Sequence, residues 1–152
     1  MALKVAVWGT GGVGAHAVRA IARRPDLDLV GVWVHAPEKV GVDAGTLVGI
    51  DPLGVHATND PAAILAHDLD CIVYTASGPS LDAGALPDYE RFLGDGIDIV
   101  TVTSPALVHP PSYPERARLR LERAALDSGS TLYASGNEPD FAADQFPLAL
   151  LT

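Results

Sequence analysis

The sequence predicts an α/β fold, a doubly wound parallel sheet between layers of helix, on three observations. Apolar runs of strand length alternate with helical patterns along the whole chain. The first such run, residues 4–8, passes directly into a glycine-rich turn, Gly9-Thr10-Gly11-Gly12-Val13-Gly14. Gly, Ala and Val are abundant and aromatic residues few, which suits strands buried on both faces beneath helices that pack closely.

Taken in order, the elements support that class. After the turn, residues 15–24 carry an amphipathic helical pattern closed by Arg23, Arg24 and Pro25. Residues 27–34 read as the second strand, residues 40–49 as a short helix, and residues 55–58 as a short extended piece. Asn59 or Asp60 ahead of Pro61 caps a helix over residues 61–66, because a side-chain oxygen takes up an unpaired N–H and proline at the first helical position forfeits none. Residues 71–75 form the third strand, broken at Ser77-Gly78-Pro79. A helix over residues 86–93 ends at Gly94 and Gly96, and residues 97–102 form the fourth strand. Residues 114–126 carry the strongest helical pattern, with Ala117, Leu121, Ala124 and Ala125 on one apolar side and Gly129 as its stop. The Arg-rich stretch within it reads as a solvated face with local ion pairs. Residues 131–134 are a fifth strand. Residues 141–152 form an apolar helix with neither cap nor polar tail, from which a continuing chain, or cover by another chain, is expected.

Composition bounds the function. At 152 residues the chain supports one domain with a substantial core. A net charge of −9 argues against nucleic acid or an anionic membrane as partner, since both attract basic surfaces. An anionic ligand must therefore be held by local dipoles. The single cysteine, Cys71, excludes an internal disulfide framework and reads as a buried structural thiol. The N-terminus resembles no signal peptide and no stretch has the apolar length of a membrane span, so a soluble, cytoplasmic protein is expected.

Gly9, Gly11 and Gly14 stand in the G-x-G-x-x-G spacing between strand and helix, the arrangement of the Rossmann NAD(P)-binding fold. There Gly9 permits the tight turn, Gly11 lets backbone approach a pyrophosphate, and Gly14 lets helix and strand pack closely. The helix N-terminus adds unpaired N–H groups and the positive end of a dipole. In an open α/β sheet, ligands lie beyond the carboxyl ends of the strands. Gly9, Thr10, Gly11, Gly12, Val13 and Gly14 are thus expected at the pyrophosphate. Thr75, Ala76 and Ser77 are expected near the nicotinamide-side ribose, Thr103 and Ser104 nearer the nicotinamide, and Gly136, Asn137 and Glu138 beside the reactive face. For each Ser or Thr the competing role is a local turn hydrogen bond.

The second strand bears on NAD against NADP. Where a ribose-binding acid is expected, the chain has Val34 and His35, and Glu38 comes only beyond Pro37. His35 and Lys39 can face a 2′-phosphate, so NADP or dual use is expected; the competing role for Lys39 is a solvated loop charge. His16, His56, His67 and His109 are spaced too irregularly for a metal site, and none is expected. Glu138 and His109 are the titratable candidates for a catalytic role, without assigning one.

Two stretches carry a resemblance. Val7-Trp8-Gly9-Thr10-Gly11-Gly12-Val13-Gly14, followed by Gly31-Val32-Trp33-Val34-His35-Ala36-Pro37-Glu38-Lys39-Val40-Gly41-Val42-Asp43-Ala44-Gly45, resembles the N-terminal domain of dihydrodipicolinate-reductase-like oxidoreductases, within the branch of 2,4-diaminopentanoate dehydrogenase and the native amine dehydrogenases. Tyr133-Ala134-Ser135-Gly136-Asn137-Glu138-Pro139-Asp140-Phe141 is similar to that group's Gly-x-x-Pro-Gly-Phe turn, with Asp140 in place of glycine. The resemblance implies hydride transfer between NAD or NADP and a small-molecule imine, amine, carbonyl or unsaturated cyclic substrate. It also implies a homo-oligomer, with residues 1–152 as the cofactor-binding first part of a two-domain protein whose substrate domain is absent or truncated here. The glutamate that amine dehydrogenases of this group carry after the fourth strand has no counterpart in Thr103-Ser104-Pro105-Ala106-Leu107-Val108-His109-Pro110. The alternatives are a nucleotide-sensing module without catalysis and the cofactor domain of a semialdehyde-type or sugar dehydrogenase. Against the sugar type, Glu38-Lys39 is followed by Val40 rather than proline.

Overall fold

A computed structural model of the chain describes residues 1–77 and 81–151, with the side chains of residues 81–83, Asn137, Pro139 and Asp144 excepted. Among the described residues it has five strands, paired in parallel within each of two units and accompanied by helices, the α/β class expected. Two compact units, residues 1–77 and 78–152, divide it.

In the first unit, β1 (Leu3–Trp8) lies between β2 (Leu27–Trp33) and β3 (Cys71–Tyr74), parallel to both. The last four residues of β1 are all buried, as a central parallel strand requires. Helix α1 (Gly12–Ile21) contributes Val18 and Ile21 to a core with Val5, Val7, Leu29, Val32 and Val34. Trp8 lies opposite Trp33 on one side and Tyr74 on the other. The two indoles stack with centroids 4.8 Å apart and planes 5° from parallel, and Tyr74 extends the stack at 6.4 Å.

Several boundaries differ from expectation for identifiable reasons. Helix α1 starts inside the glycine run because Gly11 caps it in an extended conformation, and it stops at Ile21, where Arg23 and Arg24 donate to Ala20 and Ile21 in tighter turns. Of residues 40–49 only Ala44–Val48 (α2) are α-helical, after a 3₁₀ turn at Pro37–Lys39. The Asp43 carboxylate caps α2 and also accepts the N–H groups of Leu53 and Gly54, while Gly49, at φ +74°, ends it. Asp60, of the two candidates, caps α3 (Pro61–Leu65). Residues 55–58 make isolated bridges, Thr58 to Trp33 and His56 to Asp43. Cys71 is half-buried rather than buried.

The second unit contains α4 (Leu81–Gly94), β4 (Asp98–Thr101), 3₁₀ turns at Pro105–Val108 and Pro110–Ser112, α5 (Glu115–Ser128) and β5 (Leu132–Ala134). Strands β4 and β5 pair in parallel. Helix α4 begins five residues before the expected start, with Pro87 inside it, because a proline forfeits one hydrogen bond without necessarily ending the helix. Tyr89, Phe92 and Leu93 on it are fully buried. Helix α5 carries ion pairs Arg118–Glu122, Arg123–Asp127 and Arg120–Glu90 and ends at Gly129, at φ +77°. The last segment is a π-helix, Asn137–Gln145, followed by α6 (Phe146–Leu151); Phe141 N–H donating to Gly136 O shows the wider turn. Of the expected break after the third strand, Gly78 and Pro79 lie outside the described residues.

Candidate functional site: the glycine turn and the strand ends

The end of β1 leads into a turn that only glycine can build. Gly9 has φ +106°, and a Cβ there would stand 2.8 Å from the backbone N and Cα of Ala76. A Cβ on Gly14 would stand 1.9 Å from Gly9 O. Both glycines are thus occupied by internal packing. Around Gly11 and Gly12 the opposite holds: added Cβ atoms would meet nothing within 4 Å. That opening lies at the start of α1, whose first turn carries no acidic residue and whose cap offers no side-chain acceptor. Its N–H groups therefore face an approach that sterics leave open and the dipole makes favourable to an anion.

The turn is fastened from both neighbours. Gly9 N–H donates to Trp33 O at 3.0 Å, and the Thr75 hydroxyl donates to Gly9 O at 2.9 Å. Thr75 is 8% exposed, so its side chain serves the turn, while Ala76 lies against Gly9 and Ser77 is exposed. Lys39 supplies the nearby cation. Its Nζ donates to Thr10 O at 3.2 Å and lies 3.3 Å from Thr10 Oγ1, which brings the turn after β2 onto the glycine loop. Val34 is buried in the core, leaving no carboxylate at that strand end; His35 and Glu38 are exposed. Val13 is exposed on the first turn of α1.

In the second unit, the end of β4 carries a buried hydroxyl cluster. Tyr89 OH lies 2.7 Å from Thr101 Oγ1 and 3.2 Å from Ser104 Oγ, and Thr103 N–H donates to Thr101 Oγ1 at 3.0 Å. Thr101, Thr103 and Ser104 are all buried. After β5, Ser135 Oγ–H and the Gln145 amide donate to the two oxygens of Asp140. These donors, the Ser135 hydroxyl foremost, hold the Asp140 carboxyl below its ordinary range against a smaller opposing effect of burial. Asp140 takes φ +113°, a backbone region that favours glycine. Glu138 is exposed, and the Asn137 side chain lies outside those described. His109 is exposed with Nδ1 2.8 Å from Ser112 Oγ. His16, His56 and His67 are exposed, and no group of potential metal ligands forms among the described residues. No helix among the described residues is long and apolar enough to cross a membrane.

Sequence reasoning missed Tyr89, whose apolar helical surroundings disguise its hydroxyl, and the role of Asp43. The Lys39–Thr10 contact joins the candidate for the 2′-phosphate to one of those for the pyrophosphate.

A parallel α/β sheet whose first strand ends in this turn defines the class of dinucleotide-binding domains. Residues 3–81 match the family model described as dihydrodipicolinate reductase, N-terminus, and the chain belongs to that family. It is 40% identical over 149 residues to an amine dehydrogenase of Streptomyces virginiae, covering 97% of this chain and 41% of that protein. Over 64 residues it is 41% identical to the 4-hydroxy-tetrahydrodipicolinate reductase of a Synechocystis strain, covering 41% of this chain and 23% of that enzyme. Its fold matches that of an amine dehydrogenase from Mycobacterium smegmatis with a TM-score of 0.81, at 24% identity, over 99% of this chain and 44% of the other. The chain therefore spans less than half the length of these relatives.

Proposed function

We propose that residues 1–152 are the cofactor domain of a two-domain NAD(P)-dependent oxidoreductase that moves hydride between the nicotinamide and a C=N or C=O carbon of a small molecule. The observation that carries this reading is the glycine turn: two glycines closed by packing, two left open at a helix N-terminus, and a lysine beside them. The cofactor supplies the hydride chemistry; the chain's residues bind and orient it. Gly11, Gly12 and Val13 present backbone to the pyrophosphate, with Gly9, Gly14 and Thr75 holding the turn in shape. Lys39, in contact with Thr10, reads the 2′-phosphate together with His35, and the absence of a carboxylate at Val34 leaves that phosphate unopposed. Ala76, Ser77, Thr103, Ser104 and Asn137 serve the nicotinamide half, with Glu138 and His109 as its titratable neighbours. The coverage of 41% of the S. virginiae enzyme supports a further domain that completes the substrate site and the contacts of a homo-oligomer. The single cysteine is consistent with a cytoplasmic setting.

The test is a titration of the chain with NADPH and NADH. Tryptophan emission suits it, since both tryptophans stack beside Gly9. Binding of either cofactor is expected; binding of neither at millimolar concentration refutes the reading. Lys39→Ala is expected to weaken NADPH about tenfold, the loss of one charge-assisted contact, and to leave NADH little changed. Equal loss for both would move Lys39 from the 2′-phosphate to the pyrophosphate.

A further inference from the structure

We propose that Tyr89 is a positioning residue for the loop that carries Thr103 and Ser104, acting through its hydroxyl on the turn after β4. The inference rests on the assignment of that loop to the nicotinamide half of the cofactor. Tyr89 lies on α4 with no exposed surface, and burial of its ring would be served equally by phenylalanine. What the hydroxyl adds is contact with Thr101 Oγ1, at the last residue of β4, and with Ser104 Oγ, three residues further on. Thr101 Oγ1 also accepts the Thr103 N–H, so one buried cluster fixes both ends and the middle of the turn.

The backbone needs such support. Ser104, at φ −115° and ψ +77°, belongs to neither strand nor helix, and its carbonyl accepts Leu107 N–H to open the following 3₁₀ turn. A loop with irregular backbone keeps one conformation only where its surroundings determine it. Here those surroundings are hydroxyl groups in a low-dielectric core, where a satisfied network is rigid and a broken one costly. Tyr89→Phe keeps the ring and removes the shared partner of Thr101 and Ser104. The freedom gained by the loop must then be lost again whenever a ligand uses it, and a ligand that does not reach the loop is unaffected.

The experiment compares two ligands on the full 152-residue chain by calorimetry: NADPH, and 2′-phospho-ADP-ribose, which lacks the nicotinamide. Tyr89→Phe is expected to raise the Kd for NADPH about five- to tenfold, the size of one buried hydrogen bond. The Kd for 2′-phospho-ADP-ribose is expected to stay within about twofold, as for an independent site. Ser104→Ala breaks the same cluster from the loop side, so the double variant should lose less than the two single losses combined. Equal weakening of both ligands would show a merely structural tyrosine, and no weakening of NADPH would show an idle hydroxyl; either overturns the positioning role. A wild-type chain that binds 2′-phospho-ADP-ribose no less tightly than NADPH would remove the nicotinamide assignment on which it rests. A chain that binds neither would remove the cofactor reading and this role together.

Discussion

The glycine turn can be taken apart by adding one methyl group at a time. In Gly14→Ala the new Cβ would lie 1.9 Å from Gly9 O, 2.7 Å from Thr75 Oγ1 and 2.9 Å from Gly9 C. Ordinary C···O contact begins at about 3.3 Å, so α1 and the turn must separate by more than about 1 Å. The obstacle is backbone, which cannot swing aside as a side chain can. Inserting a methyl group into a packed core costs about 1–3 kcal/mol, and this geometry puts the cost at the upper end. The helix propensity gained on replacing glycine by alanine offsets about 1 kcal/mol. A net loss of about 2 kcal/mol follows, or a Tm lower by about 4–8 °C for a domain of this size. In Gly11→Ala the methyl meets nothing within 4 Å and the backbone, at φ −71°, suits any residue, so stability should stay within about 0.5 kcal/mol. Yet that methyl stands where the pyrophosphate would approach, so NADPH affinity should fall about tenfold or more, the equivalent of one lost contact. Thermal denaturation followed by circular dichroism, beside cofactor titration, separates the two effects. A Gly14→Ala chain as stable as wild type, or a Gly11→Ala chain with wild-type affinity, refutes the division of labour among the glycines.

Two further predictions concern carboxylates. Burial raises the Asp43 carboxyl, but the backbone N–H groups of Leu53, Thr46, Gly54 and Gly45 outweigh it and hold the group below its ordinary range. A folded pKa below the unfolded value contributes stability that is complete above pH about 4 and is lost as pH falls through the folded value. Asp43→Asn should therefore be less stable than wild type at pH 7, with the gap narrowing below pH about 4; a gap that stays constant across denaturation curves down to pH 2.5 would exclude this linkage. At Asp140, glycine relieves the φ of +113° whereas alanine keeps the strain, and both lose the bonds to Ser135 and Gln145. Asp140→Gly should consequently melt several degrees above Asp140→Ala, and equal melting points would show that the backbone there carries no strain.

What was legible in the sequence followed from local rules. Strand, glycine turn and helix announce one another through their spacing, and Gly14 has its steric reason five residues away, 1.9 Å from Gly9 O; the 2.8 Å contact that requires Gly9 is with Ala76, which only the fold brings near. Helix ends set by one residue are equally readable, Gly129 outright and Asp60 as one of two neighbouring candidates. Long-range partners were not. Asp43 binds Leu53 and Gly54 ten and eleven residues away, and no periodicity encodes that. The Thr75 hydroxyl looked available to a ligand because its acceptor, Gly9 O, is 66 residues distant in sequence. Tyr89 was hidden for the same reason, since its hydroxyl has meaning only once α4 is laid against the end of β4. The Lys39–Thr10 contact spans 29 residues and was foreseen only as two independent candidates.

That contact also bears on how a chain of net charge −9 can hold a polyanion. At long range the protein repels NADPH, and at short range the start of α1 and Lys39 attract it. Salt acts on both, with a Debye length of about 10 Å at 0.1 M. Lys39 is half-buried and within 3.3 Å of the loop, so its attraction is screened incompletely, whereas the repulsion from scattered surface carboxylates is screened almost fully. Affinity for NADPH should therefore depend only weakly on ionic strength in the wild-type chain, the loss of short-range attraction being offset by the loss of repulsion. In Lys39→Ala the attractive part is diminished and the repulsion is not, so added salt should strengthen binding. Titrations between 10 mM and 300 mM salt, each about a factor of two in Debye length from 0.1 M or more, decide it. A wild-type affinity that collapses with salt would mean that exposed cations dominate binding. A Lys39→Ala chain whose affinity falls with salt as steeply as the wild type's would mean that Lys39 is not the cation facing the phosphates.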